Sequence, residues 1–148
     1  MDFFAELFSN HILIVSVTGW AVAQVLKTII NFGFTKKLDA ERLVGSGGMP
    51  SSHSSTVCAL ATATAMQYGV GSFEFAVTTI LAIIVMYDAI GVRRETGVQA
   101  VLLNKMIETF HNMDGFPSTQ EKLKELIGHT PLQVLAGALL GIFIALIM

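Results

Sequence analysis

Residues 47–68 read GGMPSSHSSTVCALATATAMQY, and the fold turns on what this stretch is. It opens on glycine, proline and serine, residues that punctuate a chain and cap helices. It then runs into an apolar segment interrupted by Ser, Thr and Gln. Alternating Ala and Thr reads as a helix buried among other helices rather than one facing lipid, because small side chains let backbones approach closely in a membrane.

The rest of the chain supplies the partners for such a helix. A bilayer-spanning helix needs roughly 20 mainly apolar residues, and residues 11–30 (HILIVSVTGWAVAQVLKTII), 73–92 (FEFAVTTILAIIVMYDAIGV) and 131–148 (PLQVLAGALLGIFIALIM) come close. The 148 residues are 53% hydrophobic and 14% charged, with mean hydropathy +0.65, whereas a soluble domain carries about 25% charge. The expected fold class is therefore all-α: one integral membrane helical bundle over residues 1–148, with about four transmembrane helices and a cytoplasmic interfacial helical segment. A net charge of −2 gives no basic face for nucleic acid. The single cysteine, Cys58, has no internal disulfide partner and reads as a small buried residue. MDFFAELF has no basic region before its apolar run, so it does not read as a cleaved signal peptide.

The cations orient the bundle. Lys27 near the end of the first span groups with Lys36, Lys37 and Arg42 after it, and Arg93, Arg94, Lys105, Lys122 and Lys124 lie between the third and fourth. With four spans these groups share one side, which the positive-inside rule makes cytoplasmic, with both termini outside. Between spans three and four, residues 98–110 place Val98, Val101, Leu102, Met106 and Phe110 at helical spacing, as an extension of span three or an interfacial helix. HNMDGFP (111–117) reads as a turn. Ser118 to Glu121 form a capping-box pattern before a short helix that Gly128 stops. Thr130 and Pro131 open span four as N-cap and first helical residue.

Chemistry-bearing residues converge on that cytoplasmic face. The second and fourth spans both begin there, with His53 in the first turn of one and His129 just before the other. Helix N-termini offer N–H groups and the positive end of the dipole. Lys27 shares a face with Gln24 and Asn31, and Arg93 and Arg94 end the third span. Two helix N-termini, two histidines and several cations make an anion site, with phosphate the obvious anion.

PSSHS resembles the Pro-Ser-Gly-His motif of the type 2 phosphatidic acid phosphatases, relatives of the vanadium haloperoxidases. GHTPLQVLAG (128–137) resembles the end of that family's last motif, Gly-x-His-x-Pro-x-Asp-Val-x-Ala-Gly. With DAIGVRRETGVQA (88–100) the set is most similar to the divergent membrane branch of that superfamily. The resemblance implies a metal-independent phosphoric ester hydrolase without cofactor, acting on a lipid phosphate or diphosphate. It implies His129 as the nucleophile that forms a phosphohistidine, and His53 as the acid that protonates the leaving oxygen. Ser51, the N–H groups around Ser52, Lys27 and one or both of Arg93 and Arg94 would hold the phosphoryl oxygens.

The chain departs from that pattern at three places. The residue seven after Lys27 is Phe34 rather than Arg, and Lys122 and Leu123 stand where a Ser-Arg pair is expected. Gln133 occupies the place of the Asp that supports the nucleophile, so Asp88 or Glu125 is the remaining source of negative charge. An inert phosphate-headgroup binder with a sensing, scaffolding or transport role is thus the alternative to an enzyme, and a small channel a less favoured third class. Each residue also has a plain structural role open to it. His53 and His129 can sit at capped helix ends, Thr130 and Gln133 can form a capping box, and Arg93, Arg94 and Lys27 can anchor at headgroups. Asp88 can form a salt bridge. Four spans are fewer than the six usual in the resembled family, which admits a homodimer with Gly137 and Gly141 as contact candidates.

Overall fold

A computed structural model describes residues 2–36, 48–111 and 129–148, with the backbone alone for residues 34, 35, 93, 94, 110 and 111. All regular structure among them is helical: α1 (Phe3–Ser9), α2 (His11–Thr35), α3 (Ser52–Tyr68), α4 (Phe73–Ile90), α5 (Val92–His111) and α6 (Pro131–Ile147). The expectations for Lys37, Arg42, the 112–117 part of the turn, the capping box at 118–121, Lys122, Lys124, Glu125 and Gly128 lie outside the described residues.

Four of the helices start where the sequence supplies a side-chain oxygen for their first N–H groups. The side chains of Asn10, Ser51, Ser72 and Thr130 accept from the N–H of Leu13, Ser54, Phe75 and Gln133 and open α2, α3, α4 and α6. α1 has no counterpart in the sequence reading. Its phenylalanines Phe3, Phe4 and Phe8 are all exposed. α4 and α5 meet at Gly91, which closes α4 on Tyr87 O and accepts from the Glu95 N–H. α5 is thus a helical continuation of the third span, packed on α4.

α3 is the centre of the bundle and contacts α2, α4 and α6. Its interface is made of small residues: Ser51 at its cap, Ser55, Ala59 and Ala63 are all buried. Facing them are glycines. A Cβ on Gly137 would collide with Ser51 O, and one on Gly141 with Ser55 O, while also lying 2.9 Å from Ala59 N. On the other flank a Cβ on Gly19 of α2 would lie 3.0 Å from Ala59 Cβ, and the Ser55 hydroxyl donates to Gly19 O at 2.8 Å. The glycines of the G-x-x-x-G pattern therefore pack α6 on α3 within the chain, and are not available as the dimer contacts expected of them. Val15, Ala59, Ala63 and Ala145 form one apolar cluster, and Val57, Cys58 and Ala82 another. The buried position of Cys58 agrees with its reading as a small core residue.

Outside this core the side chains turn outward and are apolar. Val77, Ile80, Leu81, Ile83 and Ile84 of α4 and Leu132, Leu135, Leu139 and Phe143 of α6 are exposed. Among the described residues two helical stretches are long and apolar enough to cross a membrane, His11–Gly33 and Phe73–Thr109. The second has only 11% of its most apolar window buried, the opposite of a soluble core helix. α6 is apolar but shorter, and α3 is hydroxyl-rich with its buried face turned to its neighbours.

Gly137→Ala or Gly141→Ala should destabilise the protein by about 1–3 kcal/mol, because a backbone carbonyl cannot yield to the new methyl without parting two helices. Gly33→Ala, with nothing within 4 Å of the added carbon, should be neutral or stabilising by up to about 1 kcal/mol. Thermal unfolding of the detergent-solubilised protein checks the contrast.

Candidate functional site

The same packing brings four helix ends together. α3 and α6 run parallel, so their N-termini lie side by side, joined where the Ser51 N–H donates to Gln133 O at 3.0 Å. α4 runs antiparallel to them and ends at the entrance to α6, where the His129 N–H donates to Ala89 O at 3.2 Å. The C-terminal half of α2 arrives with Lys27, whose stem lies over Gly48. A Cβ on Gly48 would meet Lys27 Cδ at 2.9 Å. Its φ of +86° also belongs to the region that glycine tolerates best.

Inside this junction the imidazoles of His53 and His129 are neighbours, with ring centroids 6.2 Å apart and planes at 60°. His129 and Lys27 are each only 2% exposed. Gln24 is also buried and Asn31 half-buried. The polar stripe of α2 therefore faces protein, as its sequence spacing implies.

Gln133 has two roles at once. Its Oε1 accepts the Thr130 N–H at 3.0 Å, while its own N–H donates to Thr130 Oγ1 at 3.4 Å, a complete capping box. The same Oε1 lies 3.3 Å from His129 Nδ1. An amide oxygen is acceptor only, and the Thr130 N–H identifies this atom as the oxygen. Nδ1 must therefore carry the proton in that contact. In the neutral ring the lone pair then resides on Nε2, at the far edge from Gln133. Contact with the His129 ring and capping of α6, set out as alternatives for Gln133, coexist in one atom.

Ser51 is 0% exposed. Besides giving its N–H to Gln133, it accepts from the Ser54 N–H at 3.3 Å and the Ser54 hydroxyl at 3.1 Å. Its observed work is to cap α3 and tie it to α6. Ser52 and His53 occupy the first two positions of α3, whose N–H groups have no intrahelical acceptor by geometry. Asp88 is half-buried in the last turn of α4, next to Ala89. The backbone places Arg93 and Arg94 in the first turn of α5; their side chains lie outside the described groups. Among the described residues no three His, Cys, Asp or Glu gather as metal ligands.

Three participants escaped the sequence reading. Ala89 and the Gln133 carbonyl act through backbone oxygens and leave no trace in side-chain pattern. Ser54, fully buried and bonded to Ser51, was hidden among ordinary serines. Gly48 belonged to a visible glycine signal, but that it clears space for Lys27 was not visible.

A family described as "Divergent PAP2 family" matches residues 8–144, a span that holds every residue of the site. A membrane protein of Bacillus subtilis (strain 168), YuiD, described as uncharacterized, is 43% identical over 152 residues, covering 97% of this chain and 96% of its own length. No solved structure matches the chain.

Gln133→Leu and Thr130→Ala should each cost about 1 kcal/mol through the damaged cap. Only Gln133→Leu also releases the His129 ring. Orthovanadate affinity, measured by calorimetry, should fall several-fold in Gln133→Leu and stay near wild type in Thr130→Ala.

Proposed function

This chain belongs to the divergent PAP2 family, and from that premise we propose that it is an integral membrane phosphatase acting on a lipid phosphate or diphosphate through a phosphohistidine. The observation that carries the reading is the pairing of His53 with His129, 6.2 Å between ring centroids, at the shared N-terminal end of two parallel helices. A lipid substrate follows from the depth of this site, at the end of a bundle whose outer surface is apolar.

In the proposed reaction the Nε2 lone pair of His129 attacks phosphorus. The phosphorus–oxygen ester bond breaks, and His53, protonated, gives its proton to the departing alcohol oxygen. Water then attacks the phosphohistidine, His53 takes a proton from it, and inorganic phosphate leaves as Nε2 regains its lone pair. Lys27, the first-turn N–H groups of α3, the Ser51 hydroxyl and an arginine of the Arg93–Arg94 pair oppose the charge on the phosphoryl oxygens. Such preorganised donors act most strongly where water is excluded, and Lys27 is nearly sealed from it.

One observation favours a second reading, an inert headgroup binder. The partner of His129 Nδ1 is the neutral Gln133 amide, which orients the ring but does not stabilise an imidazolium as a carboxylate does. That lowers the demand on geometry and raises the demand on chemistry. Turnover separates the two readings, since both predict phosphate binding.

We place α2, α3, α4 and α6 as four crossings in a multi-pass cell-membrane protein. The site faces the cytoplasm and both termini lie outside, by the distribution of Lys and Arg.

His129→Ala should abolish phosphate release from phosphatidic acid and any acid-labile phosphoenzyme. His53→Ala should slow the lipid substrate by about 10²–10⁴-fold but slow an aryl phosphate far less, because an acidic phenol leaves without a proton. Steady-state assays on both substrates, with unchanged rates in His129→Ala, would falsify the mechanism. Binding of vanadate without release of phosphate from any lipid phosphate would establish the inert reading instead. In a Cys58→Ala background, a cysteine at Gly71 should react with an impermeant maleimide from outside intact cells, and one at Lys105 only after permeabilisation. The reverse pattern would invert the orientation.

A further inference from the structure

We propose that the groove between α3, α4 and α6 seats the hydrocarbon chain of the lipid whose phosphate binds at the His53–His129 junction, so that the protein selects for chain as well as headgroup. The groove has a volume of about 300 Å³ and is walled by Cys58, Ala61 and Ala65 of α3, Thr79 and Met86 of α4, and Ile142 of α6. The inference rests on the phosphate reading above and adds the other half of the substrate to it.

Three observations fix the occupant. First, the groove and the junction are built from the same three helices, and Met86 lies one turn from Ala89, whose carbonyl holds the His129 N–H. Second, the depth fits. At 1.5 Å per helical residue, Cys58 lies about 8 Å and Ala65 about 18 Å along α3 from His53. That interval is where the chain of a lipid with its phosphate at the junction must run, given a hydrocarbon core about 30 Å thick. Third, the wall is apolar and small-featured. Alanines at positions 61 and 65 recess one side, while Phe75, Met86 and Ile142 rim it. Thr62 and Thr79 are the two hydroxyl residues in that lining, and the Thr79 hydroxyl is buried without a hydrogen-bond partner among the described residues. A threonine in a helix can back-bond to a carbonyl one turn earlier, and Thr78 does so to Glu74 O at 2.9 Å. Thr79 instead presents its side chain as part of the groove wall.

The test uses the full-length protein in nanodiscs with three probes: orthovanadate for the junction, dihexanoyl phosphatidic acid for the headgroup on a short chain, and dioleoyl phosphatidic acid for the full ligand. Wild type should hold the long-chain lipid at least tenfold more tightly than the short-chain one. Ala61→Phe fills the groove and should erase roughly tenfold of that preference, the equivalent of about two buried methylenes. Orthovanadate affinity should remain within twofold of wild type. Ile142→Ala widens the groove and guards against misfolding. It should shift the chain-length preference with orthovanadate again unchanged. Equal affinity of wild type for the two lipids, or a chain preference that neither variant alters, overturns the groove while leaving the phosphate site standing. Equal loss of all three probes in both variants overturns it as well. If wild type holds no orthovanadate and neither lipid, the phosphate reading itself fails, and the groove falls with it.

Discussion

The structure depends on how closely α6 can approach α3. Two glycines on α6 lie against the carbonyls of Ser51 and Ser55, at a separation that no other residue at 137 or 141 permits. Without a strong hydrophobic drive between helices inside a membrane, such close packing and the hydrogen bonds it allows hold a bundle together. Here it aligns two helix N-termini side by side. The bond from the Ser51 N–H to Gln133 O records that alignment, and the nearness of His53 and His129 is its consequence. α2 repeats the device on the other flank of α3, where Gly19 meets Ala59 and accepts from Ser55.

From that constraint follows an economy of groups at the junction. Ser51 caps one helix and ties it to another; Gln133 caps α6 and faces the ring of His129. Gly48 turns the chain and clears space for Lys27. Among the described residues, Ser51, Gln133 and Gly48 each serve the fold and the junction together. Such coupling has a physical cost in adaptability. A neutral amide suits Gln133 as a cap and as an orienting acceptor, yet it withholds the negative charge that would favour an imidazolium at His129. Among the described residues the junction gathers the positive ends of two helices and the buried Lys27.

Much of this was legible in the residues, and what was legible is local. Caps are settled within four positions of a helix start, which is why Thr130 could be placed as a cap and the start of α6 at Pro131 foreseen. The apolar periodicity and scarcity of charge marked the helices as membrane-seeking. The spacing of Gln24, Lys27 and Asn31 marked one face of α2 as turned inward. Legibility failed where a role depends on which helix lies opposite. Gly137 and Gly141 were equally suited to a second copy of the chain or to α3, since a flat small-residue stripe does not name its partner. α1 was passed over because seven residues carry too little pattern to be told from an unstructured apolar terminus.

By itself, then, the sequence determined an all-helical, lipid-compatible chain with two histidines at helix mouths and an inward cation, because hydropathy, periodicity and capping are properties of neighbours along the chain. Only the tertiary structure decided that the two mouths coincide, that Ser51 both caps α3 and ties it to α6, that Gln133 serves cap and ring with a single oxygen, and that an apolar groove lies among α3, α4 and α6. These depend on inter-helix distances, and a few tenths of an ångström between a glycine and a carbonyl are enough to make or abolish them.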